Sequence, residues 1–160
     1  MFAQAGPALV IGGDPTIEVG VVEAITRTTN RVGLLYVDTG PDLNTPRSVS
    51  TGFSTGWACR ICSASPTRAT SSRIMKRADV VLVHLDVDVM DFIDSPVADF
   101  PTINAGLTFE ATMECIEVFV RGATFMGLTI TVFDPDHVDE HEQPVTVFVE
   151  RLTRVLAGPR

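Results

Sequence analysis

Positive charge is scarce in this chain: 12 lysines and arginines stand against 20 aspartates and glutamates, a formal net charge of −8. Such a balance repels phosphate backbones and anionic membrane surfaces, so neither nucleic acid nor a membrane is expected as a partner. Long apolar runs are missing as well. None approaches the roughly 20 residues of a membrane helix, and the apolar stretch within residues 1–13 lacks the basic flank of a signal peptide, so cytoplasmic residence is expected. Cysteine is sparse and odd in number, 3 in all. Without an export signal, that argues against a disulfide framework and for reduced thiols. What remains is a globular composition, 45% apolar and 20% charged over 160 residues. A chain of this length buries a core as one domain, spanning residues 1–160.

The hydrophobic pattern alternates between strand and helix. Ala8–Ile11 is a short apolar run closed by Gly12-Gly13. Asp14 is a suitable cap and Pro15 a suitable first residue for a helix carrying Ile17, Val21, Ala24, Ile25 and Thr28 at helical spacing. Val32–Val37 reads as a buried strand ended by Asp38 and the Thr39-Gly40-Pro41 turn. Residues 44–72 are rich in Ser, Thr, Gly and Pro and carry little periodic signal. Val80–Val89 is apolar except for His84, Asp86 and Asp88, as in a strand covered on both faces. Thr108 caps a helix with Ala111, Cys115, Val118 and Phe119 on one face, and Gly122 stops it. Phe125–Phe133 extends as a further strand. After an acidic loop, Asp134 to Glu142, a last helix aligns Val145, Phe148, Val149, Leu152, Val155 and Leu156. The order predicts an α/β domain with a parallel sheet flanked by helices.

Carboxylates at the ends of buried strands are the informative residues. Asp38 and Asp42 follow one strand, and Asp86 and Asp88 end another, where ligands bind in open parallel sheets. Two residues apart, Asp86 and Asp88 project to the same side of a strand. Four converging acids raise one another's pKa unless a cation neutralises them, which points to a divalent metal, Mn2+ or Mg2+ for hard oxygen ligands. The competing reading makes these acids caps and loop residues on a solvated sheet edge.

Five blocks in order resemble the arginase/agmatinase (ureohydrolase) family: Gly12-Gly13-Asp14-Pro15-Thr16, Asp38 through Pro46, His84-Leu85-Asp86-Val87-Asp88, Ala105-Gly106-Leu107-Thr108 and Val132-Phe133-Asp134-Pro135. The resemblance covers about residues 8–52 and 80–157. It implies a three-layer arginase-like domain and hydrolysis of a guanidino or other linear amidine C–N bond at two Mn2+ ions, which activate water between them. Carried over, Asp38 and Asp86 would bridge both ions, Asp42 would complete one site and Asp88 the other, and Asn44 would contact the substrate's polar end.

The departures are equally specific. The family's two ligand histidines fall at Pro15 and Gly40, and its substrate-contacting glutamate at Val132. A family domain also has further strands before Ala8 and between Pro46 and Val80, so the resemblance implies a shortened sheet; its open edges and apolar faces favour self-association or a partner chain, and a homo-oligomer is expected. Two readings follow: a Mn2+-dependent hydrolase, favoured by the intact carboxylates, and a non-catalytic remnant that keeps the fold for binding or assembly, favoured by the three altered positions. His84 lies one pleat below Asp86 and reads as a satisfied core histidine, while His137 and His141 read as surface residues of the acidic loop. Cys59-Arg60-Ile61-Cys62 suggests a redox pair, but its Ser/Thr-rich surroundings lack the βαβ context that lowers a thiol pKa. Cys115 reads as core.

Overall fold

The computed structural model describes residues 6–39, 75–99, 102–136 and 143–158. Among them, four strands form one sheet: β1 (Ala8–Ile11), β2 (Val32–Val37), β3 (Val80–Asp86) and β4 (Phe125–Thr131), in the order β1-β4-β3-β2. Every pairing is parallel. Parallel neighbours need crossover connections, and among the described residues three α-helices accompany the strands: α1 (Ile17–Thr26), α2 (Phe109–Val120) and α3 (Gln143–Ala157). The expected parallel α/β architecture is what the chain adopts. No described helix is long and apolar enough to cross a membrane.

The two inner strands are the most deeply buried. In β3 every residue after Val80 is buried, and in β4 all but Met126 are, which matches their apolar composition and their cover on both sides. Leu35, Val37, Val83, Leu85, Leu128 and Ile130 form the sheet's part of the core, which Met113, Ile116, Phe119, Phe148, Leu152 and Val155 complete from α2 and α3. Arg151 of α3 fastens the two helices by reaching both Glu110 and Glu117 of α2. The α2 cap forms as expected, Thr108 Oγ1 accepting from Ala111 N at 3.2 Å. Ala111 and Val149, read as core-facing, are exposed; the buried stripes run through Thr112, Ile116 and Phe119 in α2 and through Phe148, Leu152 and Val155 in α3.

Three boundaries differ from the sequence expectation, each for a local reason. Helix α1 starts at Ile17 because Asp14 Oδ1 accepts from Thr16 N at 2.8 Å, making a turn of Asp14–Thr16 before the helix proper. Strand β3 stops at Asp86, and Val87–Val89 form a single 3-10 turn capped by the Asp86 side chain, which accepts from Asp88 N at 3.1 Å. Strand β4 stops at Thr131 because Val132 takes a φ of +60°. Asn104 shares that left-handed region, which asparagine tolerates; a β-branched valine does not. Two backbone hydrogen bonds hold Val132 there, its N donating to Gly13 O at 2.8 Å and its O accepting from Asp99 N at 2.9 Å.

Candidate metal centre

Strand register builds the site. Val37 pairs with Leu85 and Thr131 with Asp86, so the chain leaving β2 delivers Asp38 beside the end of β3. Asp88 arrives by the 3-10 turn, a turn closed by its own N–H on Asp86, rather than by the pleat of a continuing strand. One carboxylate oxygen from each of Asp38, Asp86 and Asp88 lies within 4.8 Å of the others. Neutral donors orient the acids: Thr131 Oγ1 donates to Asp86 Oδ2 at 3.2 Å, and the Thr39 hydroxyl lies 3.2 Å from Asp88 Oδ1 and 3.3 Å from Asp38 Oδ1.

Asp86 is 2% exposed. Its carboxyl is pushed up to about 8, first by burial and then by the charges of Asp88 and Asp38, against the opposing hydrogen bonds from Asp88 N and Thr131. Without a counter-charge the group stays protonated at neutral pH. A divalent cation removes that penalty, and a set of three carboxylates suits a hard, oxygen-preferring ion. The donor set therefore fits a metal through Asp38, Asp86 and Asp88.

The other predicted site residues separate into two groups. Asp42, Asn44 and Gly40 lie outside the described residues, as do Cys59, Cys62, His137 and His141. Pro15 and Val132 are described and take no part in the carboxylate cluster. Cys115 is buried in the core, as expected.

His84 is fully buried beneath the cluster, as its strand position suggests. It stacks on Tyr36 with ring centroids 4.2 Å apart, its Nδ1 lies 3.3 Å from Glu18 Oε2, and its Nε2 lies 3.4 Å from Thr131 Oγ1. Thr131 thereby joins His84 to Asp86, and a polar chain runs from Glu18 of α1 through the sheet to the site. Glu18 is the residue that sequence reasoning missed. The signal was available: Glu18, Val22 and Ile25 are spaced as one helical stripe, and a carboxylate on the stripe that meets the sheet needs a buried partner.

Comparison with known proteins finds likeness in sequence and in fold. The Arginase family model matches residues 1–72. An arginase of Staphylococcus aureus is 28% identical over 162 residues, an alignment that takes in 94% of this chain and 50% of that protein, so the chain spans about half the length of the curated relatives it matches. Among solved structures, the Entamoeba histolytica arginase in complex with L-ornithine superposes with a TM-score of 0.69 at 17% identity, over 96% of this chain and 70% of that one. The formimidoylglutamase of Bacillus subtilis gives 0.67 at 15% identity, over 94% and 59%. With its motif blocks in order and its strands in an arginase-type arrangement, the chain is similar to arginases in sequence and has their fold.

Proposed function

We propose that this chain contributes the acidic metal centre of a Mn2+-dependent ureohydrolase acting on the C–N bond of a small guanidino compound or other linear amidine. The observation that carries the reading is the convergence of Asp38, Asp86 and Asp88, with Asp86 buried among like charges. These three would hold the metal, and the resemblance adds Asp42. A bound divalent ion supplies Lewis-acid charge for water and for the trigonal amidine carbon. The protein's own part is to hold the carboxylates in place: the hydroxyls of Thr131 and Thr39 and the N–H of Asp88 fix their orientation. The resemblance gives Asn44 to the polar end of the substrate. Cytoplasmic residence and homo-oligomerisation belong to the same reading, the latter supported by the exposed apolar side chains of Leu9 and Ile11 on edge strand β1.

A second reading, metal binding without turnover, is favoured by the side chains at the altered positions: Pro15 and Val132 supply no donor, and His84 is engaged with Glu18 and Thr131. One experiment separates the two. Mn2+ titration of the 160-residue chain and of its Asp86→Ala variant is paired with urea and ammonia release from a panel of guanidino and formimino compounds. Binding lost in the variant, with Mn2+-dependent release, supports the hydrolase. Binding without release supports the second reading, and no difference between the two proteins in binding refutes both.

A further inference from the structure

A row of buried polar side chains leads away from the carboxylates. Thr131 and His84 are fully buried, and Glu18 is 4% exposed. Packing alone gives no reason for the row: Glu18 Oε1 is shielded from water with no hydrogen-bond partner among the described residues, and apolar side chains of similar shape fill such space at lower cost. Its other end rests on one carboxylate, that of Asp86.

Asp86 accepts on both oxygens, Oδ1 from Asp88 N at 3.1 Å and Oδ2 from Thr131 Oγ1 at 3.2 Å. An ionised carboxylate has no proton to give, so the single hydroxyl proton of Thr131 is committed to Oδ2. Only lone pairs of Thr131 Oγ1 are then left for His84 Nε2, 3.4 Å away, and this count assigns Nε2 as the donor. The other ring nitrogen, Nδ1, faces Glu18 Oε2 at 3.3 Å, where one proton between the two satisfies both. Stacking on Tyr36, with ring planes 10° apart, holds the imidazole in this line. Without Glu18, a neutral ring protonated on Nδ1 would accept at Nε2 and compete with Asp86 for the Thr131 proton.

We infer that the Glu18–His84 pair positions Asp86 for a divalent cation, by committing the Thr131 hydroxyl to its Oδ2. Both are positioning residues, on a helix and a strand beneath the site. The inference rests on the metal reading of Asp38, Asp86 and Asp88.

The test is Mn2+ calorimetry on the intact chain and its variants, with urea denaturation in chelator to check each fold. Thr131→Val should weaken Mn2+ binding by about tenfold or more, as the loss of a supporting partner does. Glu18→Leu/His84→Phe removes both partners together and keeps a ring on Tyr36, so it should stay folded and weaken binding by about tenfold. Glu18→Met/His84→Leu, with more adaptable side chains, serves where that variant does not fold. Added to Thr131→Val, the pair replacement should change affinity by no more than about twofold, because its effect passes through the hydroxyl already removed. Glu18→Leu/His84→Gln returns an N–H donor to Thr131 and should recover most of the affinity. Parent-like binding in the pair variant, an equal further loss on top of Thr131→Val, or no recovery with glutamine would overturn the inference while leaving the metal centre in place. No Mn2+ binding by the parent, or binding that Asp86→Asn leaves unchanged, would overturn the metal reading and the inference with it.

Discussion

Replacing Asp86 by asparagine should change how the stability of the metal-free protein depends on pH. The unfolded chain releases the Asp86 proton near the reference value of about 3.9. The folded chain holds that proton up to about 8, because burial and the neighbouring acids Asp88 and Asp38 disfavour the anion. Between those values the native state carries one more proton than the unfolded state, so the contribution of Asp86 to stability falls as pH rises. It is fully present below the unfolded value and lost as pH climbs through the folded one. The slope is about 1.4 kcal/mol per pH unit at most, or about 3 kcal/mol between about pH 5.5 and 7.5.

The Asp86→Asn side chain cannot ionise and keeps the same shape, with an oxygen still able to accept from Asp88 N or Thr131. In the presence of a chelator, urea denaturation of both proteins across that interval should show the variant gaining on the parent by about 3 kcal/mol as pH rises. Saturating Mn2+ should offset most of that difference, since the ion binds the folded parent and favours the ionised acid; at about 100 times Kd the gain is about 2.7 kcal/mol. A stability difference that stays flat with pH in chelator would refute the claim that Asp86 is strained by burial and like charge. A flat response to Mn2+ would refute the metal centre itself.

Two other substitutions test the frame and the ligand set. Gly106→Ala should destabilise the fold by about 3 kcal/mol, seen as a lowered urea midpoint, because its Cβ would fall inside contact distance of Asp91 N and the Met90 carbonyl carbon, backbone atoms with no rotamer to yield. Restoring a nitrogen donor should tighten Mn2+ binding: Gly40→His more than Pro15→His, since position 40 sits between Asp38 and Asp42, whereas Pro15 belongs to the turn that opens α1. Equal calorimetric affinities in parent, single and double variants, at a pH where histidine is neutral, would withdraw both positions from the ligand set.

The sequence made the strands and the acids legible and left their junctions obscure. β1 and β2 have the bounds that their apolar runs suggest, since burial on a parallel sheet demands continuous hydrophobicity and glycine or proline ends it. β3 and β4 were overestimated, because Val87, Val89 and Val132 are β-branched and apolar yet sit in a tight turn and in a left-handed conformation. Propensity cannot show such places; hydrogen bonds from Asp88 to Asp86, and from Val132 to Gly13, decide them. The convergence of Asp38, Asp86 and Asp88 was readable because strand ends in a parallel sheet share one edge. Glu18 was harder to read: its spacing with Val22 and Ile25 puts it on the buried stripe of α1, but a lone charge on a helix ordinarily faces water, and only the fold sets His84 opposite it.

Val132 bears on how far the metal centre and the chemistry can be separated. It stands where the resemblance places a substrate-contacting glutamate, and its φ of +60° is a conformation that valine has no intrinsic reason to adopt. Strain of this kind costs about 1–3 kcal/mol and persists only where the surroundings over-determine the backbone. Here they do: the Val132 N–H is fixed by Gly13, at the end of β1, and its carbonyl by Asp99, in the segment that also supplies Val97 O to Asp134 N. The backbone at the strand end is thus set by neighbouring chain and not by the side chain it displays. The same holds for Asp38 and Asp86, delivered by register, and for Asp88, delivered by a capped turn. A frame determined in this way keeps its carboxylates together whatever happens at positions 15, 40 and 132. On the proposed reading, metal affinity and turnover are therefore separable: the first would rest on geometry that strand register and backbone hydrogen bonds maintain, the second on side chains that can change without disturbing it.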